Sequence, residues 1–218
     1  MPDPTSPPDG PVVILDYGAG TLRSVVRAVE RVGHAPQVAD VPAALDSASA
    51  LILPGVGAAA DTMANLRARG LIDPVKDYIA QGRPFLGVCM GLQALMTVSE
   101  EGGEHACLDV VPGRVVRLTE GPTIPHMGWN AVRLRRPSPL FEGIPDGSHF
   151  YFVHSYHCVP DDPDSVLATT DYAEPVVAIV QRDNVVATQF HPEKSGANGL
   201  RFYRNFLRGA LCADGEGG

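Results

Sequence analysis

Several absences narrow the field before any motif is considered. No apolar run approaches the roughly 20 residues that cross a bilayer, so no membrane helix is expected. Positive charge is in deficit: 17 Lys and Arg against 25 Asp and Glu leave a formal charge of -8, which argues against nucleic acid or an anionic membrane as the main partner. Cysteine is sparse and scattered, at Cys89, Cys107, Cys158 and Cys212, with no C-x-x-C pair and no Cys/His cluster. Neither zinc nor any other metal or cofactor is therefore expected, and a reducing cytoplasm is the natural compartment. The first residues have neither a basic start nor an apolar stretch, unlike a signal peptide. Residues 1–11 read as a disordered lead and residues 212–218 as a disordered tail. Twenty-three glycines and twenty prolines stay below the roughly one quarter of a chain that marks low complexity, so they act as punctuation. With no internal repeat and no linker, residues 12–211 are expected to form one domain.

What is present alternates in the first half. Short apolar runs at Val12–Asp16, Pro36–Ala39, Ala50–Leu53 and Pro84–Val88 suit buried parallel strands. Amphipathic stretches lie between them: Leu22 to Val32, capped by Thr21 and ended by Gly33, then Pro42–Ala48, Ala59–Arg69 and Pro74–Gln81. The second half favours strands at Arg114–Leu118, Trp129–Arg135, Phe150–Val153, Ser165–Thr169, Val176–Gln181 and Val185–Phe190, with a hairpin turn at Arg182–Asn184 and a closing helix from Gly199 to Leu211. The expected fold is α/β: a central, mostly parallel sheet with helices on both faces and an antiparallel extension.

In such sheets function collects at the carboxyl ends of the strands. Three glycine-bearing loops fall there: Asp16-Tyr-Gly-Ala-Gly20, Pro54-Gly-Val-Gly57 and Gly87-Val-Cys-Met-Gly91. The first lacks the third glycine of a dinucleotide fingerprint and has no convincing acidic residue after the second strand. The third has the form of a nucleophile elbow, with Cys89 at the tip of a strand-turn-helix unit whose helix is expected over Met90–Val98. Gly87 and Gly91 are required there because side chains would strike the neighbouring strand and helix. N–H groups at the helix start give the surroundings that favour thiolate. The competing account of Cys89 is a buried structural cysteine.

A thiol nucleophile needs a base, and the base needs an orienting group. Among seven histidines, His191 closes the alternating strand Val185–Phe190 and is followed by Pro192 and Glu193. Residues two apart on extended chain point the same way, so His191 and Glu193 can meet locally. The N–H of Met90 and the backbone of the Gly55–Gly57 segment are candidate oxyanion donors. Glycines in that segment also permit a peptide flip between competent and idle states. An ordinary tight turn is the alternative for Pro54–Gly57.

Gly87-Val-Cys-Met-Gly-Leu-Gln93 with Gln189-Phe-His-Pro-Glu-Lys-Ser195 resembles the class I (triad) glutamine amidotransferases. Leu53-Pro-Gly-Val-Gly57, Pro125-His-Met-Gly-Trp-Asn130 and Tyr151-Phe-Val-His-Ser-Tyr156, together with the Asp16 loop, narrow this to the glutaminase subunits of imidazole glycerol phosphate synthase, in histidine biosynthesis. The resemblance implies a flavodoxin-like fold and hydrolysis of L-glutamine to glutamate and ammonia through a Cys89 thioester. It implies Cys89, His191 and Glu193 as the triad, and Val56, Gly57 and Met90 as the oxyanion hole. Gly57, Gln93, Ser155 and Tyr156 would hold glutamine. It also implies a heterodimer with a (β/α)8-barrel cyclase subunit that receives the ammonia, with Met127, Trp129, Tyr151 and Lys194 at or near the interface. Thr21 departs from the asparagine common in the family after the Gly-rich loop. A single Trp in a chain with 6% aromatics suits an interface anchor, although core burial is the commoner fate of Trp. Arg133–Arg136 reads as a solvated strand edge. Three other readings remain: an amidotransferase of another pathway such as pyridoxal phosphate synthesis, a Cys peptidase or esterase, and an idle binding module on the same scaffold.

Overall fold

The structure, a computed structural model, describes residues 10–18, 20 and 22–212, with the side chain of Cys212 left out. The Thr21 cap and most of both expected disordered ends lie outside these residues. At the near end of the lead, the Pro11 carbonyl accepts the Ser49 N–H at 3.0 Å.

The first half runs β1 (Val12–Leu15), α1 (Leu22–Arg31), β2 (Pro36–Ala39), β3 (Ala50–Leu53), α2 (Ala59–Ala68), α3 (Ile72–Ala80), β4 (Phe85–Val88) and α4 (Met90–Gln93). The second half adds β5 (Val98–Ser99), β6 (His105–Ala106), β7 (Gly113–Arg117), β8 (His126–Ala131), β9 (Arg133–Leu134), β10 (His149–His154), β11 (Tyr156–Pro160), β12 (Val166–Asp171), β13 (Pro175–Arg182), β14 (Val185–Thr188) and α5 (Gly196–Cys212). Eight strands form the main sheet in the order β2-β1-β3-β4-β14-β13-β12-β9. The five from β2 to β14 pair in parallel, and β13, β12 and β9 continue antiparallel.

Both faces of the parallel part are covered, as its continuous apolar runs require. Val13 and Leu15 face a core built with Met63 and Leu66 of α2 and Val75 and Tyr78 of α3. Val12 and Ile14 face the opposite core, with Val25 and Val29 of α1 and Phe202, Phe206 and Leu207 of α5. A four-stranded sheet (β11-β7-β5-β6) and a two-stranded ribbon (β10-β8) flank the main sheet.

Three expectations need correction. The helix after Cys89 is one turn, not nine residues, because the chain beyond it finds other partners. The carbonyls of Ala94, Leu95, Met96 and Thr97 accept N–H groups from residues 107–111 instead of continuing a helix, and Val98–Ser99 pairs with β7. The strand expected over Trp129–Arg135 is two strands, one in the ribbon with β10 and one at the main sheet's edge with β12. The Pro42–Ala48 helix is a 3-10 turn over Pro42–Leu45.

The elbow itself depends on backbone proximity. A Cβ on Gly87 would stand 2.7 Å from the Gly91 carbonyl oxygen, and one on Gly91 would collide with the carbonyl oxygen of Leu53 in β3. Cys89 between them has φ 53° and ψ -100°, strain worth about 1–3 kcal/mol that the surrounding contacts must sustain. Gly91→Ala is expected to lower folding stability by about 1–3 kcal/mol, since the clash is with backbone that cannot rotate away. Urea denaturation checks this; an unchanged midpoint contradicts the close approach of α4 to β3.

Candidate active site

Residues 100 positions apart meet because β4 and β14 are adjacent and parallel. Phe85 to Val88 pair with Val185 to Thr188, and the Cys89 N–H continues the ladder by donating to the Thr188 carbonyl at 2.7 Å. Gln189 then stands beside Cys89, its Nε2 donating toward Sγ at 3.7 Å. Two residues further on, the His191 N–H donates to the Tyr151 carbonyl of β10 at 2.9 Å, and the Ser195 hydroxyl donates to the His191 carbonyl at 2.6 Å. His191 is thereby fixed between the main sheet and the ribbon.

His191 and Glu193 do meet, but not along extended chain. Pro192 begins a 3-10 turn that brings His191 Nδ1 to 2.7 Å from Glu193 Oε1. Both side chains are fully buried. His191 Nε2 makes no hydrogen bond of normal geometry, yet the Cys89 thiol lies within its electrostatic reach. Burial pushes the imidazole pKa down; Cys89 and Glu193 outweigh it and raise the value to about 10.

A small cavity of about 190 Å3 opens beside the sulfur, lined by Val56, Gly57, Cys89, Met90 and Gln93 on one side and by Glu101 and Val153–Tyr156 on the other. The expected oxyanion and glutamine-contacting residues are thus brought together. A larger cavity, about 510 Å3, lies between the Pro42–Asp46 turn and α3 and is lined by no cysteine, serine or histidine. The Met90 N–H is engaged: it points at the Gly55 carbonyl, 3.4 Å away. Gly55 is held against Met90 and the buried Tyr17 hydroxyl of the first loop, so closely that a Cβ there would collide with both.

Three residues of the site have no role assigned by the sequence alone. Glu101 accepts the Ala59 N–H at 3.0 Å and presents a carboxylate to the cavity. Gln189 and His154 become neighbours of the cavity only through strand register and the bend at Ser155. A pattern search along the chain has no access to such contacts.

The four residues expected at an interface cluster on the ribbon's outer face. Met127 and Trp129 are 61% and 56% exposed, unusual for their types. Tyr151 sits opposite Trp129 in the ladder with ring centroids 6.2 Å apart, and Lys194 Nζ lies 6.0 Å over the Tyr151 ring. The Arg133–Arg136 edge is solvated, as expected: Arg133, Arg135 and Arg136 are all exposed, and Arg135 and Arg136 donate to the carbonyls of Pro163 and Asp164 at 2.7 and 2.9 Å.

A strained Cys elbow with a buried His-Glu pair on the neighbouring strand is the arrangement of a thiol-dependent acyl-transfer site. Residues 13–210 match the family model for class-I glutamine amidotransferases. The chain is 50% identical over 202 residues to the imidazole glycerol phosphate synthase subunit HisH of Syntrophotalea carbinolica, covering 89% of this chain and 98% of that one. It is 50% identical over 196 residues to the HisH subunit of Moorella thermoacetica, covering 90% and 93%. A crystal structure of a glutamine amidotransferase shares the fold at 23% identity, with a TM-score of 0.73 over 91% of this chain and 98% of that one. The chain belongs to the class-I glutamine amidotransferases and, within them, to the HisH subunits of imidazole glycerol phosphate synthase.

The raised pKa of His191 has a sign that can be tested. A histidine more basic folded than unfolded adds stability that is full below about pH 6.5 and is lost as pH rises towards 10. The difference in urea midpoint between wild type and Glu193→Gln is expected to shrink between neutral pH and pH 10. A difference that grows with pH contradicts the charged pair.

Proposed function

We infer that this chain is the glutaminase subunit of imidazole glycerol phosphate synthase, acting in the cytoplasm beside a (β/α)8-barrel cyclase subunit. The observation that carries the reading is the meeting of Cys89, His191 and Glu193 at the carboxyl ends of two adjacent parallel strands, next to a cavity suited to one amino acid. The HisH names of its relatives support the pathway over the alternative of pyridoxal phosphate synthesis.

The Cys89 sulfur attacks the side-chain carboxamide carbon of L-glutamine, forming the C–S bond. His191, which already carries the proton beside the sulfur, gives it to the departing nitrogen as the C–N bond breaks, releasing ammonia and leaving a thioester. Glu193 Oε1 accepts from Nδ1–H and so fixes which ring nitrogen faces the sulfur. Water, deprotonated by His191, then hydrolyses the thioester to glutamate. Met90 N–H and the Val56–Gly57 backbone stabilise the oxyanion. Gly57, Gln93 and the Ser155–Tyr156 backbone grip the substrate, and the Glu101 carboxylate is placed to pair with its α-ammonium group.

The bond from Met90 N–H to the Gly55 carbonyl makes the present geometry an idle one. The Gly55–Gly57 segment must turn to free that donor. Ammonia released without an acceptor is waste, so coupling this turn to a loaded partner gives slow basal hydrolysis and faster turnover in the complex. The ammonia passes to the cyclase, which joins it to a phosphorylated ribulosyl aminoimidazole intermediate to give imidazole glycerol phosphate and AICAR. The exposed Met127, Trp129, Tyr151 and Lys194 form the docking face.

Cys89→Ala is expected to reduce glutamine hydrolysis by at least about a thousandfold. Ammonium-driven synthesis by the complex should remain at the wild-type rate. Persistent glutaminase activity in this variant sinks the assignment.

A further inference from the structure

The ribbon that exposes Met127 and Trp129 on one face buries a row of polar groups on the other, and the mechanism above uses none of them. His154, the last residue of β10, places Nδ1 2.9 Å from the Tyr156 carbonyl. A carbonyl only accepts, so Nδ1 carries the hydrogen and, in the neutral ring, Nε2 is an acceptor. That Nε2 lies 2.9 Å from His126 Nδ1 in β8, which must therefore be the donor. His126 Nε2 is then an acceptor, with the Asn130 Nδ2 at 3.3 Å. Asn130 cannot turn its amide round: Nδ2 also donates to the Asp171 carbonyl at 2.8 Å, and Oδ1 accepts the Ala131 N–H at 2.8 Å. Two backbone groups thus set the orientation of one amide, and that amide sets both imidazole tautomers.

The row ends at the cavity wall. The Tyr156 carbonyl accepts a second hydrogen bond from Gln93 Nε2 at 2.9 Å. Gln93 Nε2 also donates to Gln189 Oε1 at 3.2 Å, leaving Gln189 Nε2 for Cys89 Sγ. The carbonyl is held where the chain passes from one sheet to another. Ser155 alone separates β10, which pairs with β8 in the ribbon, from β11, which pairs with β7 in a different sheet. At this corner the Ser155 carbonyl accepts the Leu118 N–H at 2.9 Å, while the Tyr156 carbonyl accepts from the side chains of His154 and Gln93.

We propose, on the reading of the cavity as a glutamine site, that His154 is a positioning residue that pins the Ser155–Tyr156 corner of the glutamine pocket, and that His126 and Asn130 lock it in the single tautomer able to do so. The surroundings favour neutral rings. His126 is stacked between Phe152 and Tyr172, with centroids at 4.8 and 3.9 Å. Burial lowers its pKa to about 4; burial and then the His126 ring lower that of His154 to about 3. The other titratable groups acting on His154 are His157 of β11 and His191, both of which disfavour its protonation, while the Glu174 carboxylate lies against His157. The row is therefore intact at neutral pH and comes apart only in acid.

The test compares His154→Ala and His154→Asn in the complex with the cyclase subunit, together with imidazole nitrogen NMR of the wild-type chain. His154→Ala is expected to raise the KM for glutamine about tenfold, the worth of one buried neutral hydrogen bond, with a smaller change in kcat. His154→Asn, whose amide N–H can take the place of Nδ1–H, should recover most of that loss. The NMR spectrum should show His154 and His126 both protonated on Nδ1 and bare on Nε2 at pH 7. An unchanged KM in His154→Ala, a loss that asparagine does not recover, or the opposite tautomer in either ring overturns the assignment. The NMR result needs no turnover, so it stands apart from the glutaminase reading, which fails separately if the wild-type complex hydrolyses no glutamine.

Discussion

The parallel ladder between β4 and β14 is the constraint on which the rest of the molecule depends. One strand ends in Cys89 and the other leads to Gln189 and His191, and the bond from Cys89 N–H to the Thr188 carbonyl sets their offset. A slip of one residue would send every side chain on a strand to the opposite face and separate sulfur from imidazole. The register is held firmly because both strands are buried on both faces. Alternate residues belong to two different cores, so slippage would misplace apolar groups on each side at once.

Strain at the elbow and burial of the His-Glu pair draw on the stability of that double-sided core. Cys89 sits at positive φ with no glycine's freedom, and two glycines flank it because β3, β4 and α4 approach closely there. The His191–Glu193 pair is sealed from water, where a lone charge is costly and a bonded pair tolerable. The ribbon of β8 and β10 serves both ends of the molecule's business. Its outer face offers Trp129 and Tyr151 to solvent, while its backbone holds His191 through the Tyr151 carbonyl. The exposed aromatic face and the support of His191 thus share one short element.

Much of this was legible along the chain. The four-residue apolar runs at β1, β3 and β4 have no polar face to show, which marks them as parallel strands covered on both sides. Gly87 and Gly91 flag the elbow, and the Gln189–Ser195 motif flags the histidine. The misreadings have physical causes. Leu92, Leu95 and Met96 have helical spacing, but only Leu92 lies in the helix; Leu95 and Met96 are buried in a loop whose carbonyls are taken by the 107–111 segment. β11 is hard to read from sequence because Tyr156–Pro160 ends in proline and alternates weakly. The roles of Glu101, Gln189 and His154 rest on contacts between distant segments, which local sequence does not specify even where a motif contains the residue.

The most direct test of the central claim is covalent labelling of the complex with a glutamine-mimicking electrophile, followed by peptide mass spectrometry. Modification confined to Cys89, blocked by excess glutamine and slowed strongly in His191→Asn, is the predicted result. Labelling spread over Cys107 and Cys158, or indifferent to glutamine, would contradict a working nucleophile at the tip of the bend.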